Sequence, residues 1–329
     1  MLEKIIYLVV GSWLLTLFPL EGRSQDYTYS QFYANPLYLN PAMAGIEYCP
    51  RIVLNYRNQW ASLPGSLVSY SASYDQYSEF LHGGLGLQVN YDKSGEAAIS
   101  HASVNGIYAY QVTVSDAVTA QLALQAGYRQ RGMNRNSIVL PSQVDGNSGS
   151  STALDNLTDQ VSVVDFATGF LVGFDEKYYV GGAVHHLSQP NMSLISGAED
   201  ILKMKITVHA GANLNQDKKR GRYNQQRLGI SPNLLYQQQG NFRHLNVGSY
   251  FTLDPFSVGI WYRNAFQNTD AMIVSLGFQN QNLRMGYSYD YTVSKLSNAS
   301  GGTHEISAAW IFDCNKKRKY GRAIKCPTF

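Results

Sequence analysis

Strict period-two alternation, sustained over segments of about ten residues, constrains this chain more than any other feature. Across 283–293 the odd positions Leu283, Met285, Tyr287, Tyr289, Tyr291 and Val293 are apolar. The even positions between them, Arg284, Gly286, Ser288, Asp290 and Thr292, are polar or glycine. Met204, Ile206, Val208, Ala210 and Leu214 alternate in the same way with Lys205, Thr207, His209, Gly211 and Asn215. Val118, Ala120, Leu122, Leu124 and Tyr128 alternate with Thr119, Gln121, Gln125, Gly127 and Arg129. A soluble sandwich alternates too, but its strands average only about 5–6 residues. One apolar face over about ten residues is what a tilted strand needs to cross a bilayer. The expected fold is therefore all-β, a transmembrane antiparallel up-and-down β-barrel.

Placed by this pattern, strands fall at 51–59, 67–75, 83–92, 99–114, 118–131, 161–174, 178–188, 204–216, 228–238, 243–254, 256–265, 271–280, 283–293 and 302–313. That makes about fourteen, and an even count brings both barrel ends to one side. With the first strand rising outward, tight periplasmic turns fall at 115–116, 175–177, 254–255 and 280–282. The long, Ser/Asn/Gly-rich connections 132–160 and 189–203 then face outward. Two connections, 75–82 and 216–227, are longer than a tight periplasmic turn. Glycines 86, 127, 173, 211, 229, 248, 259, 277 and 286 share the polar, inward parity of their strands. They either relieve curvature in the wall or leave room for an inserted segment or a passing partner.

The amino end reads as a secretory leader. Lys4 precedes the apolar run 5–20, and Gly22-Arg23-Ser24 offers small residues where a signal peptidase cuts. The expected organisation is a signal peptide at 1–24, a periplasmic lead-in or plug at 25–50, an outer-membrane barrel at 51–313 and a periplasmic tail at 314–329. Localisation in the outer membrane with both termini in the periplasm follows. Export favours a disulfide among Cys49, Cys314 and Cys326. Sequence proximity points to Cys314 with Cys326, while Cys49 is able to replace either partner.

No catalytic, cofactor or metal constellation is expected. His185-His186 and His304-Glu305 lack nucleophile spacing, and alternation would send His185 and His186 to opposite faces. A net charge of +3 is too small for whole-chain attraction to nucleic acid. Lumen-facing Arg129, Arg284, Asp290 and His209 either tune a pore or satisfy one another in a closed barrel. Asn40-Pro41 reads as an N-cap and first helical residue, with Gly45 as the stop. Residues 31–45 thus form a helical turn between two Asn-Pro turns, packed on the rim, plugging the lumen or serving as a docking surface. Trp60 ends strand one as an interfacial anchor or a partner contact. Lys218, Lys219 and Arg220 (with Arg222), and Lys316, Lys317, Arg318 and Lys319, form a periplasmic basic rim. That rim is either a solvated, lipid-facing edge or a dock for an acidic partner.

Taken in order, SQFYANPLYLNPAMAG, YRNQW, HGGLGLQVNYDKSG, the HHLSQPN region, LRMGYSYDYTVS, GTHEIS and the terminal KCPTF resemble the PorP/SprF family of type IX secretion proteins. The resemblance implies an outer-membrane barrel of the secretion and gliding apparatus with no catalytic residue. It implies contact with outer-membrane lipid, periplasmic type IX components and large secreted adhesin-type cargo. Asn35, Pro36, Asn40, Pro41 and Gly45 lie in the opening motif, and Arg57, Asn58, Gln59 and Trp60 in the next; these become partner-contact candidates. The function so implied is a non-enzymatic scaffold that anchors machine parts or holds cargo. The alternative is a passive porin-like channel, because a barrel of this size conducts if nothing fills it.

Overall fold

Alternating strands joined by short turns pair antiparallel with their chain neighbours. In the computed structural model of the chain this pairing runs through fourteen strands and closes on itself. The structure describes residues 26–63, 65–95, 99–134, 157–214, 228–266, 269–293, 301–314 and 324. The strands are β1 (Arg51–Gln59), β2 (Leu67–Ser78), β3 (Gly83–Ser94), β4 (Ile99–Thr113), β5 (Val118–Gly132), β6 (Gln160–Phe174) and β7 (Tyr178–His185). They continue as β8 (Lys205–Ala212), β9 (Gly229–Gln239), β10 (Phe242–Leu253), β11 (Phe256–Asn264), β12 (Thr269–Gln279), β13 (Leu283–Thr292) and β14 (Thr303–Ile311). The closing pair is β1 with β14, in register from Arg51 opposite Ile311 to Gln59 opposite Thr303.

The pleat sorts side chains as the pattern requires. Leu54, Leu122, Leu124, Val164, Leu276 and Ile306 are each at least half exposed on the outer wall, a continuous apolar surface suited to lipid. The polar parity turns inward: Asn55, Arg57, Gln88, Gln121, His209, Asp290 and Glu305 are buried. No helix among the described residues is long and apolar enough to cross a membrane.

The two rims differ. One carries the connections 79–82, 114–117, 175–177, 213–228, 254–255 and 280–282. The other carries 133–159 and 186–204 along with shorter links, and is called the long-loop rim below. β2 runs on to Ser78, so the first of the two overlong turns shrinks to 79–82. The second remains long, and residues 215–227 within it lie outside the described residues, as do Lys218, Lys219 and Arg220. Lys316, Lys317, Arg318, Lys319 and Cys326 also lie outside them.

The disulfide joins Cys49 to Cys314, with Cα atoms 5.6 Å apart, in place of the pairing of Cys314 with Cys326 expected from sequence proximity. The reason is barrel closure. Arg51 sits opposite Ile311, and the Phe312 N–H donates to the Pro50 carbonyl at 2.9 Å, which brings the residues just outside both strands together. The bond therefore marks one rim, called the disulfide rim below. Mass-spectrometric mapping of alkylated protein is expected to find the bridge intact in Cys326→Ser and absent in Cys49→Ser. Loss of such a long closed loop lowers stability by about 2–5 kcal/mol. A Cys314–Cys326 peptide from wild-type protein would contradict this pairing.

Candidate functional site

The space inside the wall is occupied by residues 26–45. Pro36 at the start of a helical turn, Asn40 and Pro41 break this stretch into three pieces rather than one. A 3-10 turn spans Phe32–Ala34, an α-helical turn Pro36–Leu39 and a second 3-10 turn Pro41–Met43. The Asn40 side chain caps the last by accepting from the Ala42 N–H at 2.9 Å, and Gly45 follows with φ of +72°. Leu37, Met43 and Ala44 are fully buried, in contact with the lumen rather than the outer rim.

Four layers hold this segment. At the long-loop rim the Asp26 carboxylate meets Arg129 at 3.2 Å and His186 Nε2 at 2.6 Å, while His186 Nδ1 faces Asp165 at 2.5 Å. Tyr38 stacks on Tyr27, and the Lys205 ammonium lies 4.2 Å from the Tyr38 ring centroid. One layer deeper, Glu305 accepts the backbone N–H groups of Ser30 and Gln31 at 2.8 and 3.1 Å. Arg57 pairs with Glu305 at 3.0 Å, and Arg263 pairs with Asp290 at 3.1 Å. The Ser30 hydroxyl accepts from Arg57 and donates to Asp290. Two guanidinium groups thus balance two carboxylates around one buried turn.

In the middle layer Asn35 accepts from Gln88, and Asn40 donates to the Phe170 carbonyl at 2.9 Å beside His209. Phe32 meets the buried Trp261 edge-on at 5.2 Å, and the Tyr179 hydroxyl donates to that of Tyr33. At the disulfide rim Arg51 grips Asp75 through two N–H groups at 2.9 and 3.0 Å, while Asp75 also accepts the Gly45 N–H. Gln121 donates to the Ala44 carbonyl, and Arg284 pairs with Glu47 at 2.7 Å.

Wall glycines make room for this segment. A Cβ on Gly84 would lie 1.9 Å from the Ala44 oxygen, and one on Gly86 would press on Leu37. Gly173 faces Ile324, a buried residue of the tail. The inserted-segment reading holds at Gly86, Gly173 makes room for the tail instead, and Gly127, Gly211, Gly248 and Gly259 face side chains of the wall itself. Outside the segment, the 186–204 connection covers the long-loop mouth. Its Met192 and Leu202 are buried, and Arg131 binds the Met192 carbonyl and Asp200.

The sequence candidates divide accordingly. Asn35, Pro36, Asn40, Pro41, Gly45 and Arg57 are all buried, and the partners seen for Asn35, Asn40, Gly45 and Arg57 belong to this chain, so an outside protein does not reach them in this arrangement. Asn58, Gln59 and Trp60 are half-buried at the long-loop end of β1, where the Trp60 N–H donates to the Gly302 carbonyl. His185 and His186 do not point to opposite faces. β7 ends at His185 and His186 takes φ of +60°, which breaks the alternation and leaves both rings buried. Arg129, Arg284, Asp290 and His209 face the lumen as expected, each beside the inserted segment. Asp75, Arg263 and Glu305 in its anchoring role escaped the sequence reading, although their inward parity at membrane depth was the available signal. Ser188 donates to Asp165 rather than to a histidine, so no nucleophile–base pair forms here.

The rim cluster is sensitive to pH. Burial pushes the His186 pKa down, but Asp26 and Asp165 outweigh it and hold the imidazole above its ordinary value. Burial pushes the Asp26 carboxyl up, and His186 and Arg129 outweigh that to hold it well below 3.8. The raised His186 stabilises the docked end fully below about 6.5 and loses that contribution as pH climbs through its folded value. Depressed Asp26 stabilises it above about 3.9, with loss as pH falls through its folded value. Amide exchange at residues 26–31, corrected for intrinsic rates, should therefore be slowest between those limits. His186→Gln should remove the alkaline limb, and an unchanged limb in that variant would refute the assignment.

Comparison with known proteins agrees with this architecture. Among solved structures, the P. putida toluene transporter TodX aligns over 84% of this chain and 93% of its own, at 8% identity and a TM-score of 0.50. The CymD monoaromatic hydrocarbon channel aligns over 86% and 94%, at 11% identity and a TM-score of 0.47. At so low an identity the likeness to TodX speaks to the barrel fold alone. A search of curated proteins found no match. A family model described as type IX secretion system membrane protein PorP/SprF matches residues 21–310, and the chain belongs to that family.

Proposed function

We propose that this barrel is a closed, non-enzymatic scaffold of the type IX machinery, anchoring periplasmic parts and/or holding secreted adhesin-type cargo, with the disulfide rim toward the periplasm. The observation that carries the reading is the lumen filled from rim to rim by residues 26–45. A diffusion channel needs an unobstructed path, and here every layer is occupied by side chains bonded to the wall. The two basic clusters supply the anchoring surface. On the periplasmic side, where the strand count leads us to expect them, lysine and arginine would suit an acidic partner.

Two measurements test this. Purified wild-type protein in planar bilayers should give no large steady current; a porin-like current would favour the channel reading instead. Gentle purification of tagged protein should recover periplasmic ring proteins or a large secreted adhesin. Charge reversal at Lys218, Lys219, Arg220 and Lys316, Lys317, Arg318, Lys319 should reduce the periplasmic recovery at least several-fold. Undiminished recovery would remove the basic rim from the proposal.

A further inference from the structure

We infer that the polypeptide upstream of Asp26 leaves the barrel through the long-loop rim, so that the two ends of the exported chain open on opposite sides of the membrane. The argument is the order of contacts along the inserted segment. Asp26 binds Arg129 and His186, and its N–H donates to Gln239 Oε1 at 2.8 Å; all three lie near strand ends at the long-loop rim. Ser30 then meets Arg57 and Glu305, Asn35 meets Gln88, and Asn40 meets the Phe170 carbonyl near mid-wall. Ala44 reaches Gln121, Gly45 reaches Asp75, and Cys49 is bonded to Cys314 at the opposite rim. Between these ends the side chains interleave, Tyr33 reaching Tyr179 while Tyr38 stacks back on Tyr27, but Asp26 lies at the long-loop rim and the chain joins β1 at the disulfide rim.

Among the described residues, the space beside Asp26 is too small for the upstream chain to pass back down. The cavity beside Asp26, bounded by Tyr27, Asp92, His101 and Arg129, measures about 30 Å³. That is room for about one water rather than a returning strand. An N-terminal segment that enters β1 from the periplasmic side, as the even strand count suggests, would put both ends on one side; threading separates them. The start of the exported chain becomes part of the long-loop face, adjoining the 186–204 connection. This inference does not depend on the scaffold reading, since the positions of Asp26 and Cys49 follow from contacts within the barrel, whatever binds outside it.

The test compares three sites in the full-length protein. Single cysteines are placed at Gln25 (Gln25→Cys), at the exposed turn residue Gly197 (Gly197→Cys) and at the carboxyl end (Phe329→Cys), all with Cys326→Ser. A membrane-impermeant maleimide is applied to intact and permeabilised cells, with heat-modifiable gel mobility confirming a folded barrel. Positions 25 and 197 are expected to label alike, and position 329 to show the opposite accessibility. An epitope inserted between Gln25 and Asp26 should follow the same rule. Position 25 labelling like position 329, whether both accessible or both protected, would overturn the inference.

Discussion

Replacing Arg57 by Met is expected to cost about 3–5 kcal/mol, read as a lower urea midpoint for unfolding from lipid or detergent. The wild-type cluster is charge-balanced: Arg57 and Arg263 face Glu305 and Asp290, all nearly or fully excluded from solvent. Methionine fills the volume but leaves two carboxylates against one guanidinium, in surroundings where an unpaired charge is expensive. Removing the second charge as well should recover part of the loss, so Arg57→Met with Glu305→Gln should cost less than the sum of the single changes. The expected coupling is about 0.5–3 kcal/mol. Arg57→Lys tests geometry as distinct from charge, because an ammonium cannot supply the planar fork. A loss under about 1 kcal/mol for Arg57→Met would mean that the cluster is hydrated and does not latch the segment.

That cluster brings together short stretches, far apart in sequence, that carry the family resemblance. Ser30 and Gln31 of SQFYANP, Arg57 of YRNQW, Asp290 of LRMGYSYDYTVS and Glu305 of GTHEIS converge on one buried turn. Their proximity depends on β1 pairing with β14, the last closure of the sheet. The strands themselves were legible, because a lipid-facing side chain must be apolar whatever the rest of the fold does. Leu283 to Val293 reads as a strand from its own residues alone. The helical cap at Asn40-Pro41 was legible for the same reason, being set by neighbours two residues apart.

What escaped the sequence depends on long-range geometry or on a single backbone angle. Cys49 and Cys314 are separated by 265 residues, and only the β1–β14 register makes them neighbours. An even, closed strand count already implied that closeness, so the information was present in the topology and absent from linear distance. The outward placement of one histidine failed because His186 leaves the strand with positive φ, a local choice that alternation does not encode. The direction in which residues 26–45 cross the lumen is a tertiary property. Both Asn-Pro pairs would look the same on an outer rim, and their burial appears only when Gly84, Gly86 and Gly169 present gaps of matching shape.

Excising residues 27–44 should convert a barrel without steady current into one that conducts. The wall should survive, because its fourteen strands are paired with each other and none of the sheet register passes through the deleted stretch. The exposed lining would include Asn55, Gln88, Gln121, Ser275 and Ser307, which water solvates readily. Fourteen strands stand between small barrels that side chains fill and 16-stranded porins that hold an aqueous channel. Stability should fall at the same time, since each buried side chain such as Phe32, Leu37 or Met43 contributes about 1.5–3 kcal/mol. Gly84→Val offers a milder version: its side chain collides with the Ala44 carbonyl and should loosen the disulfide-rim end alone, giving brief, flickering openings. Planar-bilayer recording separates the cases, with heat-modifiable mobility confirming that the deleted variant is still a barrel. A folded variant that remains silent after excision would mean that the tail at Ile324 and the 186–204 cover, not the threaded segment, hold the lumen shut.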